Sequence, residues 1–156
     1  MNPLASDKIL ISICDSGDYK NLAQLYNQIA QEILSKAFFN WNEANALDEI
    51  NSAESLVVKS ADKIISFVTY RNYVDRIEIS AIGTSGHHSK SGFAKAVLSQ
   101  LKENAAQRKL PIWLEVHENN DSAVNLYLKN GFVVINTRKR YYQDGGNALI
   151  MVFSSM

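Results

Sequence analysis

Between residues 55 and 82, three strand-like runs follow one another with almost no chain between them. SLVVKS (55–60) turns through Ala61-Asp62-Lys63 into IISFVTYR (64–71), and Asn72-Tyr73 leads into VDRIEISAI (74–82). β-Branched and aromatic residues fill the runs, and turn formers bound them. Connections this short join only antiparallel neighbours, because a parallel crossover takes roughly a dozen residues or more. The centre of the fold is therefore predicted to be a meander. The last run alternates Val74, Arg76, Glu78 and Ser80 against Asp75, Ile77, Ile79 and Ala81, which predicts two faces.

The flanking segments change period. KILISIC (8–14) reads as a strand, and Asp15-Ser16-Gly17-Asp18 supplies turn and cap chemistry. Leu22, Leu25, Tyr26, Ile29 and Ile33 then form one stripe at helical spacing, and a shorter helix is predicted from Asn42 to Asn51. After the meander, Gly92 precedes a helix carrying Phe93, Ala96, Val97, Leu101 and Ala105. LPIWLEV (110–116) is an apolar strand, and Asp121–Lys129 is a helix closed by Asn130-Gly131. FVVINTRKR (132–140) and NALIMVF (147–153) complete a last strand pair. The order βααβββαβαββ places the chain in the α/β class. It predicts a mixed, mostly antiparallel sheet of about seven strands flanked by about four helices. With no linker or repeat, residues 1–156 read as a single domain.

Composition narrows the function. Lys+Arg and Asp+Glu both number 16, so the chain lacks the basic surplus of a nucleic-acid binder. Cys14 is the only cysteine, and His87, His88 and His117 show no zinc spacing, so no metal site is expected. Asp7 and Lys8 interrupt the N-terminal apolar residues, and the run from Ala148 to Phe153 is too short to span a bilayer. The expectation is a cytoplasmic protein that engages neither membrane nor nucleic acid. Cys14 reads as a packed side chain on the first strand.

HHSKSGFAKAVLSQLKE (87–103) has two readings. One is a helix with a polar entry. The other is an anion cradle, since the free N–H groups and dipole of a helix start favour negative charge and Gly92 admits close approach. Lys90 and Lys95 would add charge; neither Walker A nor GxGxxG is present. A second cluster, WLEVHENNDSAVNLYLKNGF (113–132), is more distinctive. A strand ends in Glu115 and His117, a polar turn follows, and a helix presents Val124, Tyr127 and Leu128 before Asn130-Gly131-Phe132.

At Leu114-Glu115-Val116-His117, Asn119-Asn120 and Ala123 through Phe132, the sequence resembles the GNAT superfamily of acetyl-CoA-dependent N-acetyltransferases. It is most similar to the ribosomal-protein alanine N-terminal acetyltransferase branch, with its LEVR, SN and A-x-x-LY-x-x-x-GF segments. Arg138-Lys139-Arg140-Tyr141-Tyr142, a Gly-rich turn and Ala148-Leu149-Ile150-Met151 fit its tail. The element order agrees from Lys8 to Phe153.

The resemblance implies a GNAT fold and acetyl transfer from acetyl-CoA to a primary amine by direct attack on the thioester. The family's Q/R-x-x-G-x-G/A loop falls on Ser89-Lys90-Ser91-Gly92-Phe93-Ala94, with Lys95 adjoining and serine in place of Gln/Arg. The loop before it is about two residues longer than usual. Ala81 and Ile82 end the strand expected to present backbone donors to the reacting carbonyl. Tyr127 is the implied acid for the leaving thiolate. Glu115 is the implied base, with Glu78 as its rival. Asn120 is implied in pantetheine contact, and equally reads as a helix cap. His117 stands where the branch carries arginine and is expected to be an exposed strand end. Phe39, Trp41, Tyr141 and Tyr142 are implied around the acceptor, with Asn40 where the branch has proline. Arg138-Lys139-Arg140 reads as a solvated strand face. The acceptor is expected to be a protein or peptide N-terminus. The alternatives are a small amine such as a polyamine, amino acid or aminoglycoside, or a non-catalytic interaction module. The protein is expected to be a monomer or homodimer.

Overall fold

The computed structural model describes residues 10–154. Lys8 and Ile9 of the predicted first strand lie outside them, as do Asp7 and its neighbours. The elements are β1 (Ile11–Ile13), α1 (Tyr19–Glu32), α2 (Glu43–Ser52), β2 (Glu54–Ser60), β3 (Lys63–Asn72) and β4 (Ile77–Thr84). They continue with α3 (Phe93–Arg108), β5 (Ile112–His117), α4 (Asp121–Lys129), β6 (Val133–Arg138) and β7 (Ala148–Phe153). The strands form one seven-stranded sheet in the order β1-β2-β3-β4-β5-β7-β6. Only β4 and β5 run parallel; the other pairs are antiparallel, and β2-β3-β4 is the predicted meander.

Helices cover both faces. Leu56, Val68, Tyr70 and Ile77 pack with Phe93, Val97, Leu101 and Ala105 of α3. Val57, Ile64 and Phe67 pack on the other side with Leu22, Ala23 and Tyr26 of α1 and Ile50 of α2. The strand period of two thus sends alternate β2 residues to opposite cores, which is why this stretch reads apolar throughout. Local chemistry sets the helix starts. Asp15 accepts the Gly17 N–H in a short turn before α1, and Asn42 and Asn45 form a reciprocal cap on α2. Cys14 is buried just past β1 in the α1–α2 core. Among the described residues, no helix is long and apolar enough to cross a membrane.

Two details of β4 differ from the alternation predicted over 74–82. Val74 is 99% exposed and lies in a turn closed by the Tyr73 N–H to Arg76 carbonyl bond, so pairing starts at Ile77. Further on, Tyr70 pairs with Ile79 but Thr69 with Ala81, leaving Ser80 as an extra residue in a β-bulge. Ile77 and Ile79 therefore face α3, while Ala81 turns to the α1 core. The final predicted run is also shorter. Phe132 is buried ahead of β6, and Lys139 and Arg140 belong to the following turn.

Gly83 fixes how closely α1 approaches β4. A Cβ there would lie 2.6 Å from Ile29 Cδ1 and 3.0 Å from Phe67 Cε1. Gly83→Ala is expected to destabilise the protein by roughly 1–3 kcal/mol, as overpacking does. A lower urea midpoint at unchanged m-value is the check.

Candidate active site

The parallel pair does not stay paired. β4 and β5 are in register only at Ile77–Ile112 and Glu78–Trp113, and beyond that point they separate. Ile79–Thr84 and Leu114–His117 thus line a wedge whose inner edges carry no mutual ladder. The bulge at Ser80 bends β4 where the gap opens. The wedge belongs to a cleft of about 2340 Å³. That exceeds the roughly 300–1,000 Å³ of a single small-ligand pocket, so two reactants can be accommodated.

One end of the cleft is the start of α3. Gly92 is its N-cap at φ +85°, with Lys90 also left-handed at φ 62°. Among the described residues, no acceptor takes the N–H groups of Phe93, Ala94 or Lys95, and no side chain caps the helix. A Cβ on Gly92 would meet nothing within 4 Å, so the approach is open. Ser89, Lys90 and Ala94 line the cleft; Ser91, Gly92, Phe93 and Lys95 do not. Ser89 donates from Oγ to the Gly86 carbonyl at 3.1 Å and so braces its own loop. The Phe93 side chain is buried in the core.

Tyr127 stands midway along the cleft. It is 5% exposed and packs against Phe132 at 5.5 Å between ring centroids. Its hydroxyl bonds to nothing among the described residues, and burial pushes its pKa well above that of an ordinary phenol. Asn120 caps α4 by accepting the Ala123 N–H at 3.4 Å, while its Nδ2 has no partner among the described residues. Ala81 and Ile82 line the wedge opposite.

The far side carries the carboxylates. Trp113 and Glu115 share one face of β5, with Leu114 and Val116 in the core behind, as alternation predicts. Glu115 lies 3.6 Å from Arg138, and its charge pushes up the phenol of Tyr141. Burial, then Glu115, raises the Tyr142 pKa to about 12. Glu78 accepts a 2.7 Å bond from Arg76 Nε, and that guanidinium also lies over the rings of Tyr73 and Trp113. Its carboxylate is held by the guanidinium, whereas Glu115 is engaged by the Tyr141 hydroxyl and lies farther from its cation, Arg138.

The aromatic residues divide into two groups. Phe39 is buried and, with Trp41, packs on Tyr26, so both anchor the α1–α2 loop to the core while lining the cleft. Phe38, which the sequence did not single out, packs against His117 instead. His117 is not the exposed strand end expected: it is 2% exposed. Its Nε2 lies 2.8 Å from Asp144 Oδ2, its Nδ1 accepts the Asn119 N–H at 3.0 Å, and Tyr142 stacks on its ring. The period of two already sets His117 on the face of Trp113 and Glu115; its cover comes from loops distant in sequence.

The chain is similar to known proteins in sequence and in fold. A family model described as "Acetyltransferase (GNAT) family" matches residues 20–132. The [ribosomal protein bS18]-alanine N-acetyltransferase of Haemophilus ducreyi is 31% identical over 118 residues, covering 71% of this chain and 81% of that protein. The fold is shared with the ribosomal-protein-S18-alanine N-acetyltransferase of Escherichia coli, at TM-score 0.79, 22% identity and 94% coverage of both chains. It is shared too with yncA of Salmonella typhimurium, solved with its cofactor acetyl-CoA, at TM-score 0.76 and 15% identity, covering 95% of this chain and 94% of that one.

Proposed function

The chain belongs to the GNAT family of acetyltransferases, and on that premise we propose that it acetylates the N-terminal amine of a protein or peptide. The observation that carries this reading is a single cleft. It joins an uncapped helix start, a buried unpartnered phenol and an accessible carboxylate through a break in the sheet.

The residues fit acetyl-CoA, which brings the activated acetyl thioester. The open N–H groups of Phe93, Ala94 and Lys95 suit the pyrophosphate, with Lys90 beside them. Asn120 Nδ2 and the unpaired inner edge of β4 suit the amide-bearing arm, as two extended chains suit each other across a strand gap. Glu115 takes the proton of the incoming amine, directly or through water. A backbone N–H near Ala81 and Ile82 would serve as donor to the oxygen that gains charge. The Tyr127 hydroxyl gives its proton to the departing sulfur.

The acceptor walls favour a peptide over a polycation. Arg71 and Arg76 bond to Glu49 and Glu78, and Arg138 lies beside Glu115, so this end presents no unbalanced acidic pocket. An N-terminal alanine of a ribosomal protein, the acceptor in the name of the Haemophilus ducreyi relative, is the first to try. The test is acetyl-CoA turnover with an alanine-initiated peptide, the same peptide already N-acetylated, and spermidine. Turnover of the first alone supports the reading; preference for spermidine, or no turnover, overturns it.

The base is tested separately. Glu115→Gln is expected to lower kcat by roughly 10²–10⁴-fold, and Glu78→Gln by less than tenfold. The reverse ranking in single-turnover rates would assign the base to Glu78.

A further inference from the structure

His117 stands outside the chemistry proposed above, yet it is the most enclosed polar side chain of the acceptor side. Its hydrogen bonds define its state. Asn119 donates its backbone N–H to Nδ1, so Nδ1 offers a lone pair. Nε2 therefore carries the proton and donates to Asp144, at 2.8 Å to Oδ2 and 3.1 Å to Oδ1. The neutral ring has both nitrogens occupied and neither left for acid or base work.

The ring's faces are occupied as well. Phe38 from the α1–α2 loop meets it at 4.9 Å and 62°, and Tyr142 from the β6–β7 loop stacks on it at 4.7 Å and 28°. Phe38, Tyr142 and Asp144 all line the cleft. A Cβ on Gly146 would sit 2.1 Å from Nε2, so the loop closes on the ring only with glycine there. The base of the same loop is tied elsewhere: Glu118 accepts from the N–H and Nδ2 of Asn147, and Asn147 accepts the Arg140 N–H. Within the loop, Tyr142 donates its N–H to the Gly146 carbonyl and accepts the Gly145 N–H, and the His117–Asp144 bond ties this turn to the end of β5.

We propose that His117 is a positioning residue for the acceptor: a neutral imidazole that ties the β6–β7 loop to the end of β5 and spaces Tyr142 from Phe38. It lies two residues beyond Glu115 on the same strand face, about 7 Å along β5. The two aromatic walls are therefore set beside the carboxylate that receives the amine. This rests on the function proposed above, and the experiment separates the two.

His117→Ala and Asp144→Ala are compared with the wild type. Asp144 has a side chain 43% exposed, so its variant breaks the tie without opening the core. It also frees the Gly146 N–H, which bonds to Asp144 Oδ1 at 2.8 Å, so His117→Ala, which keeps that bond, decides what the tie itself contributes. Both are expected to raise the acceptor KM about tenfold, with kcat changed less than roughly threefold and acetyl-CoA affinity unchanged, the signature of lost acceptor binding. Amide hydrogen exchange across residues 142–147 is expected to accelerate at least about tenfold in both. Asp144→Asn, which keeps one acceptor oxygen, should fall between wild type and Asp144→Ala in both readouts.

Unchanged exchange would show that the tie does not hold the loop. Faster exchange with an unchanged acceptor KM would show that the loop does not shape the groove. A hundredfold fall in kcat at constant KM would make His117 a chemical group. Each result overturns the proposal. If the wild type acetylates no peptide, the function falls and the acceptor role with it, while exchange still decides whether the tie exists.

Discussion

Tyr127→Phe is expected to lower the rate of acetyl transfer by roughly 10²–10⁴-fold while leaving acetyl-CoA affinity and thermal stability unchanged. The stability half follows from hydrogen bonding. The Tyr127 hydroxyl has no partner among the described residues, so its removal strands no donor or acceptor. Phenylalanine keeps the ring contact with Phe132. The rate half follows from burial. Desolvation raises the tyrosine pKa and holds the phenol protonated through the neutral and mildly alkaline range. A weaker acid is no handicap here, because the departing thiolate sits in the same cleft and is disfavoured by the same desolvation. Single-turnover rates and calorimetric titration measure the two halves independently. A rate loss below tenfold would mean that the sulfur takes its proton from water or from Tyr142. A large loss of stability would mean that the hydroxyl is structural.

Legibility in the sequence tracked the range of the interaction. The meander, the stripe on α1, the Gly131 turn after α4 and the pairing of Trp113 with Glu115 on one face all depend on neighbours within a few residues. Periodicity reports them directly. The bulge at Ser80 depends on the register of β4 against β3, so the predicted alternation placed Ala81 on the wrong face. The close approach at Gly83 depends on Ile29, far away in sequence. His117 failed for the same reason. Its parity along β5 was readable, but Phe38, Tyr142 and Asp144 arrive from two loops. The motif around Gly92 marked the helix start, and only the structure distinguishes N–H groups left open from a side-chain cap.

Gly92→Glu is expected to weaken acetyl-CoA binding by about three orders of magnitude. Two like unit charges 4 Å apart repel by about 4 kcal/mol at an effective dielectric constant near 20, which corresponds to roughly 10³-fold in Kd. The new carboxylate would lie where the N–H groups of Phe93, Ala94 and Lys95 open, and the α3 dipole would hold it there. That attraction, roughly 0.3–1 kcal/mol, partly offsets the roughly 1–2 kcal/mol cost of a side chain in the left-handed region, so the fold survives. Gly92→Ala separates strain from charge. Its Cβ meets nothing within 4 Å, so it pays the backbone cost alone. Alanine should therefore lower the melting temperature by a few degrees and change Kd less than about tenfold. Because the repulsion is electrostatic, the gap between the glutamate and alanine variants should narrow as salt rises. If Gly92→Glu binds acetyl-CoA like the wild type, the pyrophosphate does not rest on the start of α3, and Ser89 and Lys90 lose their place in the cofactor site with it.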